Sequence, residues 1–464
     1  MTRSAQWLYG WLLLLPAAVL LALFTHYPAM ATLWHSLLST PRGGRSAVWV
    51  GLDNYRQLAD DPIFWQALAN NLWFALGTIP ASITLALLMA VWVNGKLPVR
   101  GFLRLAHFTP TVLPMIAVAN IWLFFYTPEY GLLERFLAAF GAGTHNWLGS
   151  KSTALGLRLR RGAHDGAAGN ARGRRAGPVL VPRAEGPLPV TEVYAMRGIP
   201  RALETTGAWL LGLLWILPLA YAAWTAFHPA EFSTRFLLTA PLTLENFAKA
   251  WQAAPFARYY VNTVLLVTMV LGAQLVLVTL AAYAFARFAF PGRSVLFALV
   301  LVQLMVMPDV LIVENYRTMT ALGLKDTIVA MSLPYMASAF GIFLLRQTFK
   351  SVPRELDEAA RVEGCGPLAL RWKVYVPLAR PVYLAYALVS VSYHWNNFLW
   401  PLIIANSAES RPLTVGLQVF SSGDQGIDWS IITAATLLTT APLLIAFLLF
   451  QRQFVQSFMR AGIR

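Results

Sequence analysis

The stretch Val261-Asn-Thr-Val-Leu-Leu-Val-Thr-Met-Val-Leu-Gly-Ala-Gln-Leu-Val-Leu-Val-Thr-Leu-Ala-Ala-Tyr-Ala-Phe-Ala286 contains no charged residue. A helix of that length crosses the roughly 30 Å of hydrocarbon in a bilayer. Backbone N–H and C=O groups in lipid must bond to one another, so the stretch is expected to be helical. The strands of a membrane barrel would instead alternate in hydrophobicity over about ten residues, a pattern absent here. Working outward, comparable apolar blocks occupy 11–24, 79–93 and 431–450. The 464 residues are 57% hydrophobic and 12% charged, with mean hydropathy +0.56. A soluble domain carries about twice that charged fraction. The expected fold class is all-α: a polytopic membrane helical bundle of about nine transmembrane helices, near 9–36, 67–93, 102–126, 207–228, 258–286, 293–313, 326–347, 379–404 and 430–451.

The formal net charge of +15 sits in the connectors. Lys96 and Arg100 lie in one, and Arg287 and Arg293 flank another. Lys350, Arg354, Arg361, Arg371, Lys373 and Arg380 fill a third, and Arg452, Arg460 and Arg464 end the tail. Short basic connectors mark the cytoplasmic side of a membrane protein, which argues for membrane lipid as the partner and against nucleic acid. The single Cys365 rules out an internal disulfide. The first block follows Arg3 and lacks a cleavage site of small residues, so it is expected to be a retained helix.

The chain repeats itself. Leu52-Asp53-Asn54-Tyr55 matches Leu244-Glu245-Asn246-Phe247, Phe64 matches Phe256, Asn70 matches Asn262, and Gly131-Leu132 matches Gly323-Leu324, all at an offset of 192. Repeats packed about a shared pathway are common in transporters. Three units follow: 1–150, a truncated N-terminal half with about three spans; 151–206, rich in Arg, Gly and Pro; and 207–464, a complete unit of about six spans. The middle segment has no block long enough to span and its composition is that of disorder. It reads as a frameshift or fusion scar, with a regulatory linker as the alternative.

Between two apolar blocks lies Ser351-Val-Pro-Arg-Glu-Leu-Asp-Glu-Ala-Ala-Arg-Val-Glu-Gly-Cys-Gly366. Ser351 is placed to cap a helix and Pro353 to sit in its first turn. Glu355 and Asp357 lie where the helix dipole favours anions. Asp357 and Arg361 are spaced to pair along the surface. Ala359 and Ala360 form a small flat patch, and Gly364 and Gly366 end the helix. Such a helix in a basic loop has the form of a docking element.

Glu358-Ala359-Ala360, then Gly364, then Val374 and Val376-Pro377 resembles the signature loop of binding-protein-dependent ABC importer permeases. Val at 374 and 376, in place of Ile and Leu, is a mild departure. The resemblance implies that Glu358, Ala359, Ala360 and Gly364 form a cytoplasmic coupling helix that contacts an ATPase subunit. Ala284-Phe285-Ala286-Arg287-Phe288, Trp395-Asn396-Asn397-Phe398-Leu399-Trp400-Pro401 and Arg411-Pro412-Leu413-Thr414-Val415-Gly416 make 207–464 similar to the second permease of carbohydrate and glycerol-3-phosphate importers. Residues 1–150 look like the start of the first permease, through Gly51-Leu52-Asp53-Asn54-Tyr55 and Trp147-Leu148. The implied partners are nucleotide-binding ATPase subunits, a periplasmic solute-binding protein and a second permease subunit. The implied location is the bacterial inner membrane, as a multi-pass protein. No Gly-x4-Gly-Lys-Ser/Thr loop occurs, so ATP is expected to be hydrolysed by a partner. No cofactor, metal site or catalytic residue is expected on this chain.

Polar residues inside apolar helices are costly and therefore functional candidates. Trp395, Asn396, Asn397 and Gln303 are candidates for a solute pathway, since rings stack on sugars and amides bond hydroxyls. Trp is equally common at membrane interfaces, and Asn also bonds neighbouring helices. Asp309, Glu314, Asn315 and Tyr316 form a second polar group, and His394 stands alone. The rival functions are an ion-coupled secondary transporter, which would want paired carboxylates or discontinuous helices, and an inactive fused or truncated permease.

Overall fold

A computed structural model describes residues 3–39, 46–94, 115–127, 131–138, 141, 201–233, 237, 239–421 and 428–462. The Arg-rich segment expected to be a linker or scar lies outside them up to residue 200, as do 102–114, where the third span was expected to begin. The regular elements of the described residues are helices, beside one isolated bridge, Leu38 to Trp49. Among the described residues, four unbroken helices are long and apolar enough to cross a membrane, and up to seven spans result if each of three bent pairs is one.

By contacts the chain divides into Met1–Leu58 with Val112–Asn120 and Ala222–Arg464, and Ala59–Thr111 with Ile121–Tyr221. The first helix therefore packs with the residues after 222. The second unit holds the helix Pro62–Asn94, an aromatic cluster of Trp122, Phe125 and Tyr126, and the short helix Leu132–Ala138.

The first unit is built around the helix Phe256–Arg287. Its buried side chains recur at spacings of three and four through Phe256, Tyr259, Thr263, Leu266, Val270 and Gln274, while Val261, Val264, Leu265 and Val276 are exposed. One stripe meets protein and the other is left for lipid. The first helix, Arg3–Leu21 with its continuation Tyr27–His35, presents Leu14, Ala17 and Leu21 to Val278, Ala281, Ala282 and Phe285. Close approach of helices at small residues is how membrane helices gain packing without a hydrophobic driving force. Gly10 sits against the Phe290 ring, where a Cβ would come within 2.6 Å of a ring carbon.

Three expected spans are not continuous helices. The one expected over 293–313 stops at Val302 and resumes as Ile312–Ala321 after a 3-10 turn over Pro308–Leu311. Met307 is extended there, as a residue before proline prefers. The one expected over 326–347 is Ile328–Ser332 and Ala339–Ser351, separated by a turn containing Pro334 and an extended Ser338 whose hydroxyl caps Gly341 N–H at 3.2 Å. The one expected over 379–404 is Arg380–Trp395 and Leu399–Ile404. Irregular backbone at membrane depth persists only where protein covers it or a cavity needs it.

Candidate functional site

Two of the three breaks converge on a cavity of about 400 Å³. Gln303, Met307 and Asn315 line it from the first break and its flanks, and Tyr335 and Ser338 from the second. Gln274, Ser390 and His394 close it from the helices Phe256–Arg287 and Arg380–Trp395, and Trp400 adds a ring just past the third break. The first helix contributes Phe24 and Thr25, which lie in a π-helical turn, Ala22–His26. Such turns recur at functional positions because they displace side chains from the regular register.

The polar groups are organised as a chain. Gln274 Nε2 donates to Tyr335 O at 2.7 Å and lies 3.3 Å from His394 Nε2. Ser390 Oγ donates to Gln274 Oε1 at 2.5 Å. Gln303 Oε1 accepts from Ala339 N–H at 2.7 Å, and its amide nitrogen lies 3.3 Å from Ala337 O and 3.5 Å from Thr25 Oγ1. Asn315 Nδ2 donates to Phe24 O at 3.4 Å. Three buried atoms of the cavity's described lining residues, His394 Nδ1, Asn315 Oδ1 and Tyr386 Oη, have no hydrogen-bond partner. Buried polar groups are ordinarily satisfied, and these are exceptions within the wall. Among the described residues, no Asp, Glu, Lys or Arg lines the cavity.

Of the four residues singled out as a pathway, the structure brings Gln303 to this wall. Trp395 is buried elsewhere, its Nε1–H directed at Thr439 O at 3.3 Å. Asn396 and Asn397 are half-buried and not among the lining residues. The carbonyl of Asn397 accepts from Thr414 Oγ1 at 2.7 Å. Gln274 escaped notice although it interrupts an apolar block, a signal that could have found it. Glu314 is buried, paired with His35 at 2.8 Å and Arg317 at 3.0 Å. Asp309 is exposed.

The second locus is the helix Arg354–Val362. Pro353 is its N-cap residue. Ser351, expected to cap it, instead ends the preceding helix, its hydroxyl returning to Thr348 O at 2.8 Å. Pro353 has no N–H and fixes φ, so the helix starts after it. At the other end Cys365 N–H reaches Ala360 O at 2.9 Å and Gly364 N–H reaches Arg361 O at 3.0 Å, with Gly364 at φ +83. This paired closure needs a left-handed residue, the conformation glycine takes at no steric cost. Ala360 is buried, while Leu356, Glu358, Ala359 and Val362 are exposed. Leu356, Ala359 and Val362 share one face, and Val362 is 89% exposed, an apolar stripe in a basic loop. Asp357 does not pair with Arg361 as its spacing suggested. It turns inward, its Oδ1 accepting from Tyr375 O–H at 2.5 Å, because a buried phenol and the Arg287 guanidinium offer a less solvated partnership than a surface arginine.

The family described as binding-protein-dependent transport system inner membrane component matches residues 82–460, more than half of the chain. The chain belongs to this family. The permease is 30% identical over 262 residues to the sn-glycerol-3-phosphate transport system permease protein UgpE of Yersinia pestis, covering 53% of this chain and 92% of that one. It is 30% identical over 268 residues to the arabinooligosaccharides transport system permease protein AraQ of Halalkalibacterium halodurans, covering 56% and 96%. A crystal structure of a bacterial ABC transporter involved in the import of the acidic polysaccharide alginate superposes with a TM-score of 0.49 at 22% identity, over 55% of this chain and 99% of that one. By its family and these relatives the permease is a multi-pass inner-membrane component of an ABC import system.

Proposed function

We propose that this permease carries a carbohydrate or glycerol-3-phosphate-like solute through the cavity beside Gln303, driven by ATP hydrolysed on separate nucleotide-binding subunits. A periplasmic solute-binding protein delivers the solute, and a second permease subunit completes the pathway. The chain itself binds no cofactor. Glu358, Ala359, Ala360 and Gly364 belong to the helix that seats in the ATPase. Glu358 and Ala359 face outward, Ala360 anchors the helix to the bundle, and Gly364 closes it. The observation that carries this reading is the exposed stripe of Leu356, Ala359 and Val362 on a helix that buries Ala360 against the bundle. Apolar exposure in an aqueous loop marks a surface that another protein covers. The solute class rests on the two relatives' names and on a wall of amides, hydroxyls and rings.

The test is affinity purification of the permease with its ATPase, comparing wild type with Glu358→Lys. Placing a like-sized cation on the docking face is expected to abolish recovery of the ATPase and ATP-dependent uptake together. Undiminished recovery of the ATPase with the variant overturns the assignment.

A further inference from the structure

Three helices touch both the cavity and the root of the Arg354–Val362 helix, and they meet at one joint. Phe256–Arg287 carries Gln274 at the cavity and Arg287 at its end, about 20 Å apart at 1.5 Å rise per residue. Ala339–Ser351 begins at the Gln303–Ser338 cap and ends near Phe349. Arg380–Trp395 carries Ser390 and His394, and is preceded by a π-helical turn, Arg371–Tyr375. At the joint Tyr283, Phe349 and Tyr375 are buried and meet edge to face, with centroids 5.0 Å apart for Tyr283–Tyr375 and 5.2 Å for Phe349–Tyr375.

We propose that Arg287, Asp357 and Tyr375 are a clamp through which displacement of the Arg354–Val362 helix reaches the solute cavity. Tyr375 O–H holds Asp357 Oδ1 at 2.5 Å. Arg287 donates through Nη2 to Val352 O, just ahead of the helix, and its guanidinium lies 5.0 Å from the centre of the Tyr375 ring. Both charged side chains are nearly buried, at 10% and 13% exposure, so their interaction is little screened by water. The clamp is half engaged. Arg287 Nε lies 3.9 Å from Asp357 Oδ2 and has no hydrogen-bond partner although buried. Movement of the helix by about 1 Å closes this gap to hydrogen-bond distance. A closed and an open arrangement of the same three residues is a discrete two-state contact of the kind that transmits a shift through packed elements. At the far end Gln274, Ser390 and His394 tie two of the three helices together at the cavity wall, so movement at the joint changes the groups that face the solute.

This inference rests on the reading of Arg354–Val362 as the ATPase-contacting helix, and the experiment separates the two. The full transporter, reconstituted in proteoliposomes with its binding protein, is assayed for ATP hydrolysis and for solute taken up per ATP. Tyr375→Phe keeps the ring and removes one O–H. Asp357→Asn keeps the shape and removes the charge. Each is expected to leave the ATPase bound but to lower solute moved per ATP about tenfold, the effect of losing one hydrogen bond to a charged group. Asp357→Glu is expected to recover part of the ratio. A merely structural role would lower the amount of intact complex and leave the ratio untouched. If Asp357→Asn fails to accumulate in the membrane, Tyr375→Phe carries the test alone. A wild-type ratio in Tyr375→Phe overturns the clamp. Retention of the ATPase by Glu358→Lys overturns the docking reading instead.

Discussion

The helices Pro62–Asn94 and Phe256–Arg287 descend from matching sequence, yet they differ in what covers them. At their entrances the two copies behave alike. Asn54 Nδ2 donates to Ser36 O and Leu38 O, both at 2.8 Å. Asn246 Nδ2 donates to Ala226 O at 2.9 Å and His228 O at 2.8 Å. Each asparagine ties a short amphipathic helix to the end of the membrane helix before it. Farther along the likeness ends. Asn262 is fully buried and donates to Glu409 O and Arg411 O at 2.6 and 2.9 Å, whereas Asn70 is exposed. In the most apolar stretch of Pro62–Met89 nothing is buried within the described residues, against 39% for Phe256–Arg287. A helix end is made by neighbours in sequence, while a buried helix face requires distant segments to arrive.

The comparison breaks first at the asparagines. Asn262→Ala removes the donor to Arg411 O and one of the two donors to Glu409 O, which keeps its bond from Arg258 Nε, and is expected to cost about 2 kcal/mol, while Asn70→Ala stays within about 0.5 kcal/mol. Thermal unfolding in detergent measures both, and equal effects would mean that the two helices are covered alike. Glycines sharpen the contrast. A Cβ at Gly416 would run into the Tyr259 ring, so Gly416→Ala is expected to destabilise by about 2 kcal/mol. Gly77 has nothing within 4 Å of the same added atom, and Gly77→Ala should stabilise by up to about 1 kcal/mol through helix propensity.

The smallest effect concerns Asp326, whose counterpart at the same offset is Glu134 in the helix Leu132–Ala138. Asp326 adopts φ +63 and accepts from Asn406 N–H at 2.7 Å, Ser407 N–H at 3.1 Å and the Ser410 hydroxyl. Partial desolvation opposes its charge, but these donors outweigh it and hold the carboxyl at about 2, below its ordinary 3.8. A depressed carboxylate stabilises the fold fully above its unfolded value and loses that contribution as pH falls toward the folded one. Because the group is largely solvated, Asp326→Asn should cost under about 1 kcal/mol at neutral pH. The difference in unfolding temperature between wild type and variant should vanish as pH approaches 2. A difference independent of pH would show that the charge does not matter.

The signature loop was largely legible, because its features are local. Gly364 is the left-handed residue that ends the helix, as its type suggested, whereas Ala360, expected with Ala359 in a patch open to another protein, is buried. Two local expectations failed where a distant group competed. Proline at 353 displaced the cap expected of Ser351, and Tyr375 with Arg287 drew Asp357 away from Arg361. The interrupted helices were only partly foreseeable. Met307-Pro308 announces one break, but the apolar runs on either side hid all three.

The sequence by itself determined that the chain is helical and membrane-embedded, and the family to which it belongs. Those follow from residue type and short-range spacing, since each helix in lipid must satisfy its own backbone. Only the tertiary structure decided that Thr25, Gln303 and His394, hundreds of residues apart in part, share one wall, and that Trp395 does not. A cavity has no period in sequence. It exists where helices that break at different places happen to leave the same space unfilled.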